Sequence, residues 1–261
     1  MEQELIKESD RYGTTEMQQK LLPMMKEFDA LMRENEISYT LCGGAMLGAV
    51  RNGRFIPWDD DLDIMVDREN YIKLLRMFHD PGKTGNFRIF DKLWVYRIVK
   101  KENYKAAKKG DEAVPTIDVF VMDPCPKAKW KKSTKILLIR LLQGMMHTEL
   151  NLEGFSAFHK VLLAGTYYFG KLFTKRFKFR VYDRLEQLWS SEKGYKLGGY
   201  NDLFKNLPHE YDPDLMDHIK YITLEGMQLP IPENYDPFLR ESYGDDYMTP
   251  PPEKDRIPIH L

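Results

Sequence analysis

The chain has 261 residues, 43% apolar and 30% charged, with a net charge of -1 at neutral pH. That balance belongs to a globular protein of one large domain, or a core with a smaller addition. With only Cys42 and Cys125 it excludes a disulfide framework. The polar, acidic opening "MEQELIKESD" predicts no signal peptide. The longest apolar stretches, 136–146 and 161–173, fall short of the ~20 apolar residues that span a bilayer. These features predict a soluble, cytoplasmic chain and leave attachment to the inner membrane surface open.

The elements follow in chain order. Met17, Leu21, Leu22, Met25, Phe28, Leu31 and Met32 recur near a 3.6-residue period, which predicts a helix over 16–36. "ISYTLCGG" (37–44) reads as a strand ending in paired glycines, and "AMLGAVRNG" (45–53) as a short helix. "LDIMV" (62–66) is a second strand and "ENYIKLLRMF" (69–78) a second helix. "FRIF" and "LWVYRIVK" form two strands joined by Asp91 and Lys92, and "TIDVFVMD" (116–123) is a buried fourth strand. Residues 129–192 are mostly helical. "YITLEGMQLPIP" (221–232) reads as a hairpin and "YDPFLRESYG" (235–244) as a helix. The prolines of 249–261 predict an extended tail. The organisation expected is a strand–helix core over 1–126, a helical region over 127–195, and a C-terminal segment over 196–261 that packs back on the core.

Charge is unevenly spread. Residues 127–184 hold 13 lysines and arginines against 3 acidic residues, a local +10 in a chain of net -1. Such a surface is either a pair of solvated helical faces or a dock for anionic head groups or a polyanionic acceptor. The overall charge and the absence of any base-reading motif argue against nucleic acid.

Negative charge is concentrated elsewhere. "AVRNGRFIPWDDDLDIMVD" (49–67) carries five aspartates: Asp59, Asp60, Asp61, Asp63 and Asp67. Alternate residues of a strand face the same way, so Asp61 and Asp63 share a face while Leu62 and Ile64 enter the core. Two carboxylates about 5 Å apart repel by roughly 3 kcal/mol at an effective dielectric of about 20. They share a site if one is protonated or if a cation lies between them. Hard divalent ions such as Mg2+ suit that place, because they bind through one or two carboxylates plus phosphate. Asp118, inside the apolar strand "TIDVFV", is costly to bury alone and becomes useful beside Asp61 and Asp63 as a ligand or base. Gly43 and Gly44 stand between a strand and a helix. They make either a tight turn or a cradle in which backbone N–H groups face a phosphate. No Cys/His set has zinc-ligand spacing.

Strand–Gly-Gly–helix, then a strand bearing Asp-x-Asp, then a strand bearing Asp, resembles the nucleotidyltransferase superfamily with its polymerase-β-like fold. The resemblance implies an α+β core with a small mixed sheet, here with a helical insertion and a Pro-rich C-terminal segment. "GGAMLGAVRNGRFIPWDDDLDIMV", "IDVFVMD" and "YDPFLRESYGDDYMTPPPEKDRIPIHL" are similar, more narrowly, to the LicD family of phosphocholine transferases. That resemblance implies transfer of a phospho-substituent from a CDP-linked donor, CDP-choline being favoured, to a hydroxyl of a glycan or lipid-linked sugar, with release of CMP. Relatives in eukaryotes move ribitol phosphate, so the family indicates the reaction class better than the head group. By the same resemblance Asp61 and Asp63 bind Mg2+ (or Mn2+), and Asp118 completes the site and accepts the hydroxyl proton.

Five further residues are candidates for the donor. Arg51, between the glycines and the aspartates, either meets the diphosphate or pairs with a neighbouring aspartate. Arg97 stands where the family tends to carry a basic residue and is a second phosphate candidate. Trp58, Tyr96 and Tyr243 are rings able to face a choline ammonium, or else packing residues. Asp59 and Asp60 orient the loop or balance a cationic head group, and His260 either folds back to the cleft or lies in a loose tail. Two other readings use the same residues: transfer of a whole NMP group to a small molecule, and a catalytically inactive ligand-binding module.

Overall fold

The computed structural model describes residues 8–111, 113–150, 156–190 and 195–258. They fall into two compact units. The first takes the chain up to Phe90, Tyr96–Val121 and the stretch from Asp214 onward; the second takes Asp91–Val95 and Met122–Pro213. The boundaries expected near 126/127 and 195/196 thus move to 121/122 and 213/214. Backbone pairing causes the shift: Cys125 N–H donates to the Lys196 carbonyl at 2.7 Å, and Leu197 exchanges hydrogen bonds with Tyr211.

In the first unit, helix α1 (Thr15–Glu34) buries Leu21, Met24, Met25, Phe28 and Met32. Pro23 lies inside it and lacks the donor for one helical bond, a cost that burial of this apolar face offsets. Strand β1 is only Thr40–Leu41, antiparallel to β2 (Leu62–Asp67) with Leu41 opposite Ile64. Helix α2 (Gly43–Asn52) starts at the glycines themselves, two residues before the expected start. Asp67 ends β2 and caps α3 (Arg68–His79), its Oδ1 accepting from Asn70 N–H at 2.7 Å. Strands β3 (Phe87–Lys92) and β4 (Val95–Lys100) turn at Leu93, whose φ is +54°, so Asp91 and Lys92 belong to the strand. A six-residue helix, α4 (Tyr104–Lys109), precedes β5 (Ile117–Pro124) and has no counterpart in the sequence reading. The strand order is β1-β2-β5-β4-β3, so β5 lies next to β2.

The second unit packs helix α5 (Lys129–Met146) against α6 (Ala157–Gly170) and α7 (Lys175–Glu186). A short strand, β6 (Leu197–Gly199), pairs with Met122–Pro124 of β5. Ile136, Ile139, Leu142, Tyr182 and Tyr200 form its core. Inside it, Gln143 Nε2 donates to the Tyr182 hydroxyl and to the Asp202 carbonyl, both at 2.9 Å. Lys135, fully buried, places its ammonium 3.6 Å from the centre of the Tyr200 ring.

The chain from Asp214 onward returns to the first unit. Strands β7 (Ile219–Leu224) and β8 (Met227–Pro232) form the expected hairpin. Its turn has φ +49° at Glu225 and +78° at Gly226, the backbone of a tight two-residue loop. Glu225 ties it to the end of α2, donating its N–H to the Gly53 carbonyl at 2.9 Å and accepting from Phe55 N–H at 3.1 Å. Helix α8 (Tyr235–Tyr243) follows. The tail is not uniformly extended, because Glu253–Asp255 form a 3-10 turn; His260 lies outside the described residues.

One buried amide sets the approach to the aspartate run. Gln18 Nε2 donates to the carbonyls of Ile56 at 2.9 Å and Asp59 at 2.8 Å, and its Oε1 accepts from Ser9 at 3.1 Å. Gln18→Ala removes this donor from both carbonyls, of which that of Ile56 keeps the Asp59 N–H at 2.9 Å. It should lower stability by about 1–3 kcal/mol in urea unfolding, with an unchanged m-value.

Candidate active site

The centre of the site is the start of α2. Gly43 has φ +56°, a left-handed conformation that glycine adopts without strain. A Cβ on Gly43 would collide with Asp63 Oδ2, and one on Gly44 with the Asp59 carboxylate. Asp63 is further fixed through its backbone, whose carbonyl accepts from Cys42 N–H at 3.1 Å. The room that the two glycines leave at this helix start is taken by two carboxylates of the chain.

Crowding shows in the electrostatics. Asp59 Oδ2 is sealed from solvent with no hydrogen-bond donor. Burial, then the charges of Asp61 and Asp60, push the Asp59 carboxyl well above the usual carboxylate range. The Tyr243 phenol, at the end of α8, lies in the same field. Burial of its hydroxyl and the charges of Asp59, Asp63 and Asp61 keep it protonated far beyond neutral pH. The residue as a whole is 42% exposed. Asp59, Asp61, Asp63, Gly43, Gly44 and Tyr243 therefore form one cluster.

This cluster suits a cation, because a positive ion would relieve the repulsion and meet the orphaned Asp59 oxygen. Among the described residues, no three His, Cys, Asp or Glu side chains converge closely enough to hold a metal by themselves. Two carboxylates that leave the remaining positions to phosphate and water are the usual arrangement for Mg2+ at nucleotide sites.

Asp118 has a different immediate partner. It stands opposite Arg97 across β4 and β5, and Arg97 Nε lies 2.9 Å from Oδ1 and 3.0 Å from Oδ2. Both side chains are nearly buried, so each offsets the other's desolvation. Arg97, expected at the donor phosphates, is engaged with Asp118, on the strand beside β2.

Arg51 reaches the C-terminal segment. It donates through Nε to the Tyr247 carbonyl at 2.7 Å and through Nη2 to the Thr249 carbonyl at 3.2 Å. Burial and the positive charge of Arg256 weigh against its charged form, while the Tyr243 phenol opposes them. Trp58 stands beneath Arg256, whose guanidinium lies 5.0 Å from the ring centre, and meets Tyr12 edge-on at 5.7 Å. Arg256 also donates to the Pro251 carbonyl at 2.9 Å. The Trp58 face expected to meet a cationic head group thus already carries a cation. Tyr96 packs against Tyr71 at 6.1 Å. Tyr243 is the expected ring that is both open to solvent and set among the carboxylates.

Sequence reasoning missed two participants. Asp59 was assigned to the loop, yet it is as close to the glycines as Asp63 is. The signal was partial: Asp59 lies in the same acidic run as Asp61 and Asp63. Arg256 had no comparable signal, because its place over Trp58 depends on how the tail folds back.

The repulsion has a measurable consequence. A carboxyl whose pKa is raised in the fold binds its proton more tightly there, so stability rises as pH falls into that raised range. Asp59→Asn should raise stability at pH 7 by about 1 kcal/mol, or about 2–4 °C in Tm, and should remove that acid-side gain. A lower Tm at pH 7 would show that the Asp59 charge is compensated.

Residues 36–138 match the family described as "LicD/FKTN/FKRP, nucleotidyltransferase domain". The match covers β1, α2, β2, β4 and β5, and hence every aspartate of the site. The chain is 26% identical to the lipopolysaccharide cholinephosphotransferase LicD of Haemophilus influenzae, over 94% of this chain and 95% of that protein. Shorter likenesses reach uncharacterised proteins of two rickettsiae. One, from Rickettsia prowazekii, is 36% identical over 31% of this chain and 30% of its own length. The other, from Rickettsia typhi, is 41% identical over 29% of this chain and 24% of its own. The domain match lies on the residues that build the carboxylate cluster, and the likeness to a LicD protein runs almost end to end; over residues 36–138 the chain is similar to the LicD-family nucleotidyltransferase domain.

Proposed function

We propose that this LicD-type phosphotransferase moves phosphocholine from CDP-choline to a hydroxyl of a lipopolysaccharide or lipid-linked sugar, releasing CMP. The observation that carries this reading is the half-buried, mutually repelling carboxylate cluster held against the start of α2. Such an arrangement is unfavourable in an empty fold and becomes favourable over a cation and a diphosphate. The likeness to the Haemophilus protein supports the choice of head group and acceptor, since its name states both.

Asp61 and Asp63 would hold Mg2+ (or Mn2+), with donor phosphate supplying further oxygens. The ion supplies neutralisation of charge on the attacked and departing oxygens when bound. Gly43 and Gly44 keep side chains out of the space next to the carboxylates. Arg51 holds the 247–249 carbonyls and thereby places α8 and Tyr243 at the site. Tyr243, partly open to solvent in a negative field, would offer its ring face to the choline cation. Asp118 is the proposed acceptor of the hydroxyl proton, with Arg97 fixing its orientation.

The test is incubation with CDP-choline, CDP-ribitol or CDP-glycerol, a sugar acceptor and Mg2+, with CMP as the readout. CMP release should depend on the divalent ion and fall about 10²-fold or more in Asp61→Asn and in Asp63→Asn. Pyrophosphate release from a nucleoside triphosphate would favour NMP transfer instead. Binding without divalent ion or turnover would favour an inactive module. For the head group, Tyr243→Ala should raise KM for CDP-choline about tenfold, and Tyr243→Phe should leave it within about twofold. Equal effects of the two variants would remove the ring from recognition.

A further inference from the structure

The second unit exposes an apolar surface that the reaction chemistry does not use. Along α6, Val161, Gly165 and Tyr168 recur at helical spacing on one face, and Leu172 continues the row past its end. Val161 is 74% and Leu172 75% exposed, with Leu162 and Phe169 open beside them. Tyr167 and Gly170, on the opposite side, are buried. The surface continues into α7 through stacked rings: Phe169 meets Phe173 at 5.3 Å, and Phe173 meets Phe177 at 5.4 Å. It is one contiguous aromatic and aliphatic patch around the α6–α7 turn.

Its charge is one-sided. Between Ser156 and Arg184 there are seven lysines and arginines and a single acidic residue, Asp183. Lys160, Lys171, Arg176 and Arg180 are exposed. Lys171 holds its ammonium 4.4 Å from the centre of the Tyr167 ring, at the edge of the patch. Lys175 is partly committed, 3.2 Å from Asp91. Among the described residues no helix is long and apolar enough to cross a membrane. An amphipathic corner with large apolar side chains, a cationic border and too short a span is the pattern of a segment lying in the head-group region of a bilayer.

We propose that the α6–α7 corner docks on a lipid bilayer bearing anionic head groups, inserting Val161, Tyr168, Phe169, Leu172 and Phe177. The basic residues around it contact the lipid phosphates. The proposal stands without the transferase reading, because it rests on this surface alone.

The test is flotation of the full chain with vesicles of phosphatidylcholine, or of phosphatidylcholine with about a third phosphatidylglycerol. The chain should float with the anionic vesicles and bind the neutral ones more weakly. Phe169→Ser with Leu172→Asp should reduce anionic binding about tenfold or more. Arg176→Glu with Arg180→Glu should reduce it too, and should weaken its dependence on salt. All four side chains are exposed or at the surface, so circular dichroism and Tm should stay as in the unaltered chain. CMP release with a soluble acceptor is measured on the same variants, which separates loss of docking from failure of the transferase reading. Absence of binding to both vesicles overturns the proposal, as does binding that neither pair alters. A dimer in solution that Leu172→Asp dissociates would also overturn it, identifying a second copy as the occupant.

Discussion

The structure depends on one close approach: the backbone of Gly43 and Gly44 against the carboxylates of Asp63 and Asp59. A Cβ at either position would occupy the space of an oxygen. The approach brings the two charges to the positive end of α2, a favourable place for an anion, but it also brings them near each other and Asp61. The raised Asp59 carboxyl and the orphaned oxygen measure what remains uncompensated. Folded proteins keep such arrangements where the conflict is resolved by something that binds.

The rest of the first unit serves that approach. Gln18 of α1 holds the carbonyls of Ile56 and Asp59, so the turn before the aspartates has a defined path. Asp67 closes the acidic stretch as a helix cap, which shows that an aspartate in this run need not be functional. On the other side of the site, Arg51 and the Glu225 turn gather the C-terminal segment against α2. Arg256 over Trp58 completes this gathering with a cation on an aromatic face. The site is therefore built from residues about 200 positions apart, and the C-terminal segment is part of it.

The second unit has another character. Its core is ordinary, but it includes a buried lysine over a tyrosine ring and a glutamine whose donors are both satisfied. Those groups favour one packing of α5 against α7 and residues 200–202, because a different packing would leave them without partners. Its outer surface is apolar at one corner and basic around it, a combination that single exposed residues do not produce.

Much of this was legible beforehand. The period of Met17, Leu21 and Phe28 marked α1. The stretch 221–232 read as a hairpin, and it forms one. These are local properties, set by backbone sterics and side-chain spacing, and a sequence carries them directly. The pairing of Arg97 with Asp118, the cation over Trp58, the entry of Asp59 and Tyr243 into the cluster, and the assignment of 196–213 to the second unit were decided by tertiary structure. Each depends on which strand lies beside which and where the tail folds back. Such contacts join residues whose spacing along the chain has no physical bearing on their distance in space.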